Sequence, residues 1–413
     1  LPPASTQKTL TTAAALMVLG RDFHYQTIIG TDGILHGDTL DGDLIIHGEG
    51  DPTLGSSHFS DDGFADVLHS ILNLLQGAGV KHITGDIIGD ASFYDKSTIP
   101  RSWPFLHIGN YYGAFCAGLN FNDNQHFLRF KQSATPGALI KEFKIDPEVP
   151  QLNIESLVTS GEFGSGDEAY IMGAPFQYNR YVQGTIPPGK ALFTIKGSLP
   201  DPALFMAYHL KTFLVSHGIT IKGQYASLYG QPRELVRVFG TTESPELQEI
   251  VDVTNQKSVN LFAEGLGLRS ARQLDLDTDD WLLEFWKQKQ IDMSGCHFYD
   301  YAGLAPDNAL TAQSVVQILS LIYQQKDLWP VFLGSLSVAG EVGTLASMFK
   351  HSPAKGRIRA KSGLINGVRS YAGYMQSRSG RWYAFDIMTH NPDCGGIRNK
   401  LEVWLDDLYL SLP

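Results

Sequence analysis

The sequence predicts an α/β (α+β) fold, an antiparallel sheet flanked by helices and interrupted by a long β-rich stretch. Three observations carry that expectation. The 413-residue chain opens on an apolar helical segment, its middle from about 25 to 245 breaks into short strand-like runs, and its last hundred residues read as a meander closed by an amphipathic helix. At 45.4 kDa it exceeds the usual span of one core, so two or three domains are expected.

The elements follow in order. Residues 5–19, rich in Ala, Leu and Met, come after Pro2-Pro3 and stop at Gly20, ordinary start and stop signals of a helix. Its first turn carries Ser5 and Lys8, whose three-residue spacing puts them on one face. The middle holds strand candidates DLIIHG (43–48), ITGDIIGD (83–90) and HFLRFK (126–131), separated by Gly, Pro, Asp and Asn clusters. One helix interrupts it, Ala203 to His217, ended by Gly218 and followed by the strand candidate ITIKGQYASLYG. After Thr241 the pattern turns helical again over 251–271 and 279–288. RIRAKSG (357–363), RSYAGYMQ (369–376) and RWYAFDIMTH (381–390) then alternate as strands, the first pair joined around Asn366-Gly367. Last, Ile397, Leu401, Trp404, Leu405 and Leu408 form one helical face expected to pack on the meander.

Composition narrows the function. A net charge of −11 with no long basic run excludes the phosphate backbone of nucleic acid as a main partner. No apolar run reaches the length of a membrane span. Cys116, Cys296 and Cys394 are far apart, so at most one bridge is expected and no CxxC metal site. Because the fold starts abruptly on a core helix at Leu1, earlier residues are expected to have preceded it.

A serine hydroxyl becomes a nucleophile near neutral pH when a neighbouring base takes its proton, and a lysine serves if burial or a second cation lowers its pKa. Ser-x-x-Lys occurs three times here: at Ser5/Lys8, Ser347/Lys350 and Ser352/Lys355. The last two fall in a polar stretch broken by Pro353, without a following apolar helix, and are expected to be solvated loop residues. Two further patterns single out the first. Ser258-Val259-Asn260 is the sole Ser-x-Asn in the chain and opens a helical stretch. Lys361-Ser362-Gly363 is the sole Lys-[Ser/Thr]-Gly and ends a strand before a hairpin turn. Ser-x-x-Lys, Ser-x-Asn and Lys-[Ser/Thr]-Gly, in that order, are the motif set of serine β-lactamases and penicillin-binding proteins. His36, His47 and His58, with Asp38, Glu49 and Asp51, sit in Gly-rich turns around one strand, which does not favour a convergent metal site. No Gly-x-Ser-x-Gly elbow occurs.

With these motifs the sequence resembles the D-alanyl-D-alanine carboxypeptidase/endopeptidases of the low-molecular-mass class C penicillin-binding proteins, the DacB type of peptidase family S13. PASTQK, DLIIHGEGDPTL, ITGDIIGDASFY, SVNLFAE, YAGLAPDN, VAGEVGTL and AKSGLINGVRSYAGY all resemble that family's segments in the same order. The resemblance implies a β-lactamase/transpeptidase-like catalytic domain, 1–25 plus 246–413, split by two inserted domains, 26–48 plus 146–245 and 49–145. It implies a serine enzyme without cofactor or metal, located in the periplasm or otherwise outside the cytoplasm. Its substrates would be peptidoglycan stem peptides ending in D-Ala-D-Ala or their cross-links, and β-lactams would inhibit it.

The resemblance also implies roles. Ser5 would be the nucleophile and neutral Lys8 its base, with Lys361 charged beside it. Ser258 would relay a proton to the leaving amine, and Asn260 would orient the acyl side. Ser362, Gly363 and Leu364 would line the substrate, with the N–H groups of Ser5 and Leu364 facing the oxyanion. The chain departs from the family in Val259 for Asp, Ser362 for Thr, Leu364 for a hydroxyl residue and Ala302-Gly303-Leu304-Ala305-Pro306 for Ser-Gly-Leu-Ser-Arg. The motifs alone also fit a serine β-lactamase or esterase, or a non-catalytic peptidoglycan-binding or sensor protein; a metal-dependent hydrolase ranks last.

Overall fold

In the computed structural model, residues 1–94, 99–276, 280–390 and 396–413 are described. The chain divides into two units: residues 1–24, 100–102 and 246–413 form the first, and 25–99 with 103–245 the second. A 3₁₀ turn, Ala4–Gln7, leads into helix α1, Lys8–Leu19, which ends where Gly20 turns to φ +85°.

The second unit is more helical than its texture suggested. Strands β1 (Gln26–Thr31) and β2 (Leu44–Gly48) pair antiparallel; helix α2 (Gly63–Gly77) follows, then β3 (Ile87–Asp90), helix α3 (Pro202–Ser216), β4 (Tyr225–Leu228) and β5 (Arg237–Glu243). These strands form one mixed sheet in the order β4-β3-β2-β1-β5, with β3 parallel to both neighbours. Helix α2 was not expected. Its signal was present in Val67, Leu68, Ile71, Leu72 and Leu75, all buried at helical spacing. Helix α3 starts one residue before the expected position because Asp201 caps it, its carboxylate accepting the Leu204 N–H at 2.9 Å.

One apolar cluster unites the sheet and both helices, with Ile29, Leu44, Ile46, Val67, Ile71, Phe121, Phe205 and Leu210 among its members. A second cluster gathers residues between Leu128 and Ile195. Leu44 and Ile46 thus share a core with Val67 and Ile71 across the expected 48/49 boundary. His47 and Asp51 lie apart in role. His47 Nδ1 meets Asp90 at 2.8 Å, whereas Asp51 accepts the N–H and hydroxyl of Thr53.

The first unit resumes with α4 (Leu247–Lys257), α5 (Asn260–Gln273), α6 (Trp281–Gln288) and α7 (Ala312–Gln324); residue 279, the expected start of α6, lies outside the described residues, as does Cys394. Strands β6 (Ser337–Val338), β7 (Ile358–Ile365), β8 (Val368–Gln376) and β9 (Trp382–His390) form an antiparallel sheet in sequence order, and α8 (Ile397–Ser411) closes the chain. The turn at Asn366-Gly367 sets the register, Ile365 opposite Val368. Leu401, Leu405 and Tyr409 of α8 pack with Tyr371, Met375 and Phe385. Trp404, expected on that face, is 52% exposed instead, because a 3.6-residue period brings Tyr409 into line with Leu405.

Candidate active site

Every residue singled out in the motifs falls in the first unit. The 3₁₀ turn bearing Ser5 is held from below. Thr6 Oγ1 and Ser370 Oγ, the latter on β8, both donate to the Pro3 carbonyl, at 2.7 and 2.5 Å. Ala4, directly before the serine, sits at φ +50°, a conformation that costs a non-glycine residue about 1–3 kcal/mol and recurs at functional sites. Gly363 of β7 lies against this turn. A Cβ there would be 2.8 Å from the Pro3 carbonyl oxygen and would collide with Ser370 Oγ, so only glycine fits.

Lys8 is fully buried one turn along, and its ammonium has three oxygen partners: Ser5 Oγ at 3.1 Å, Asn260 Oδ1 at 2.6 Å and the Ala302 carbonyl at 2.6 Å. Burial lowers its pKa to about 8, against the opposing pull of Asp300 and Glu264. Asn260 reaches it as the first residue of α5. Helix α4 stops at Ser258, which takes a left-handed φ of +61°, and extended Val259 then leads into α5. Ser258 is therefore a junction between two helices rather than the opening of one, and the break places its hydroxyl 2.8 Å from Lys361 Nζ.

Lys361 is also fully buried. Its other described hydrogen bond goes to the Ser362 carbonyl at 2.7 Å, so both described partners are neutral oxygens. Burial pushes its pKa well down, and the charge of Lys8 pushes it further. Two ammonium groups in one dry cluster repel, and Lys8 alone of the pair is supported by acidic neighbours. Lys361 was expected to be the charged partner; burial and the neighbouring Lys8 both oppose that charge in the free protein. Ser362 Oγ donates to Thr344 Oγ1 at 2.8 Å, and Leu364 is 57% exposed. Strand β6 pairs β7 only at Arg359 and Ala360, so on that side the edge from Lys361 onward has no strand partner among the described residues.

Sequence reasoning noted the Ala302–Pro306 loop only as a departure from the family and gave no role to Asp300 or Glu264. Asp300, buried, accepts the N–H groups of Gly303, Leu304 and Ala305 at 2.8, 2.7 and 2.8 Å and the Asn308 amide at 2.7 Å. Glu264 Oε1 accepts the N–H groups of Tyr301 and Ala302 at 2.9 and 2.7 Å. Burial and the nearby Asp300 raise the Glu264 carboxyl well above its usual range. Two buried acidic side chains thus fix the loop whose carbonyl grips Lys8. The signal was a lone glutamate four residues after Asn260 in an apolar helix, hence on the same face.

A hydroxyl within hydrogen-bond reach of an amine lowered by burial is the pairing that lets serine attack a carbonyl near neutral pH. The profile of the D-Ala-D-Ala carboxypeptidase 3 (S13) family matches residues 1–408. The chain belongs to this family. It is thereby a D-Ala-D-Ala carboxypeptidase of the serine class, as the motif resemblance implied. A D-alanyl-D-alanine carboxypeptidase of an Actinomadura species is 27% identical over 94% of this chain and 73% of its own length. The D-alanyl-D-alanine carboxypeptidase DacB of Haemophilus influenzae is 23% identical over 96% of this chain and 82% of its own. In fold, the chain matches the crystal structure of penicillin binding protein 4 from H. influenzae with a TM-score of 0.85 at 20% identity, covering 99% of this chain and 91% of that one.

Proposed function

We propose that this protein hydrolyses the D-Ala-D-Ala terminus of peptidoglycan stem peptides, or the equivalent D,D-cross-link, outside the cytoplasm, through an acyl-enzyme on Ser5. The observation that supports this most is the contact of Ser5 Oγ with a buried Lys8 whose pKa is about 8. Ser5 Oγ attacks the carbonyl of the penultimate D-alanine while its proton passes to neutral Lys8. N–H groups of Ser5 and Leu364 receive the oxyanion. The C–N bond then breaks, the leaving D-alanine amine takes a proton through Ser258, and water later cleaves the ester.

The substrate's own charge completes the base. Its terminal carboxylate, received at Ser362, brings Lys361 a negative neighbour that favours charge there, and charge on Lys361 opposes a proton on Lys8, favouring the neutral base. Asn260, which already holds Lys8, orients the acyl side. Penicillin binding protein 4 of H. influenzae has also been solved complexed with a β-lactam, and a Bdellovibrio bacteriovorus endopeptidase of related fold has been solved acylated by penicillin G. β-Lactams are accordingly expected to acylate Ser5. Mass spectrometry after incubation with benzylpenicillin tests the proposal: a stable adduct on the peptide containing Ser5, missing in Ser5→Ala, is expected. Rapid turnover of the drug with no hydrolysis of a D-Ala-D-Ala peptide would instead make the protein a β-lactamase.

A further inference from the structure

A carboxylate only accepts hydrogen bonds, on two oxygens with several lone pairs, so directed donors and a nearby cation recognise it best. Leu364 offers no side-chain donor where the family places a hydroxyl, which leaves Ser362 as the sole hydroxyl of the strand motif. The missing donor lies on a different segment. The 3₁₀ turn Gly343–Leu345 carries Thr344, exposed, with its Oγ1 2.8 Å from Ser362 Oγ.

Behind Thr344 stands Ser337 of β6. Ser337 Oγ accepts the Thr344 N–H at 3.1 Å and lies 3.3 Å from Thr344 Oγ1. Gly343 allows this approach, since a Cβ on it would collide with Ser337 Oγ and come within 3.1 Å of the Gln256 carbonyl near the end of α4. Ser337 Oγ, already accepting the Thr344 N–H, also pairs with Thr344 Oγ1, and either hydroxyl can serve as the donor. Thr344 and Ser362 each keep a proton that can turn to an incoming anion. Their hydroxyls meet on the open edge of β7, one residue from buried Lys361.

We propose that Thr344 is a specificity-determining residue that binds the substrate's terminal carboxylate together with Ser362, in place of the hydroxyl absent at 364, with Ser337 orienting it. This rests on the acyl-enzyme reading above.

The test compares acylation of the full chain by benzylpenicillin and by its methyl ester, which lacks the anion. Unaltered protein labelled at Ser5 and preferring the acid establishes the underlying reading; without labelling, that reading and this proposal fail together. In Thr344→Val the acid-to-ester ratio of acylation rates is expected to fall about tenfold, the loss of one hydrogen bond to a charged group. Thr344→Ser should retain the ratio, and Leu364→Thr placed in Thr344→Val should recover it. An unaltered ratio in a Thr344→Val protein that still labels, or equal losses for acid and ester, would overturn the assignment and leave the acyl-enzyme reading standing.

Discussion

Residues 5–8 and 347–355 present the same Ser-x-x-Lys spacing in two physical settings. Lys8 is 0% exposed, with Ser5, Asn260 and Ala302 around its ammonium. Lys350 and Lys355 are exposed, Ser347 receives an Arg398 hydrogen bond and Ser352 donates to Asp406. The motif specifies a distance along a helix. Reactivity comes from dehydration and from what the rest of the chain brings to the amine, so identical spacing yields a depressed base in one place and a solvated charge in the other.

The largest effect that sharpens this contrast is loss of the proposed nucleophile or its proposed base. Ser5→Ala and Lys8→Met should each lower acylation by benzylpenicillin about a thousandfold or more, whereas Lys350→Met and Lys355→Met should stay within about twofold of the parent. Comparable losses at all four positions would erase the distinction. Ser258→Ala, which removes the hydroxyl held by Lys361, should cost about 10²-fold in peptide hydrolysis, read as kcat at saturating substrate.

The pH profile has a definite direction. Lys8 must shed a proton to act, so the second-order acylation rate should climb as pH rises through about 8 and then level off; a profile flat from pH 6 to 9 would contradict it. Stability follows the same group. Its folded pKa of about 8 lies below the ordinary 10.5, so the unfolded chain binds the extra proton between those values and folding stability should increase across that window. Below about pH 8 the cost of the buried ammonium is fully present, on the order of 3 kcal/mol. Lys8→Met should therefore raise the unfolding free energy at pH 7 by ~1–3 kcal/mol in urea titrations, against less than ~0.5 kcal/mol for Lys350→Met.

Much of the fold was legible because it is written locally. The terminal meander follows from period-two alternation and the Asn366-Gly367 turn, and the first helix from its apolar run and Gly20. Helix α2 escaped because its Gly63 start and surrounding glycines resemble the turns of a β-rich region, although its apolar residues keep helical time. The three motifs were legible by their order. Their supports were not: Asp300 acts on a loop some 290 residues from Lys8, and Ser258 draws its position from a helix break that φ reveals and residue type does not. Within the middle, Leu44 and Val67 share a core through contacts that sequence adjacency does not encode.

The anchoring of the Pro3 carbonyl by Ser370 has a consequence for biosynthesis. Ser5 and Lys8 leave the ribosome before the strand that braces their turn and the lysine beside their site, which follow some 350 residues later. A chain cut short before that strand would present the serine on an unbraced turn and acylate nothing. Competence thus becomes a report on synthesis carried through that strand.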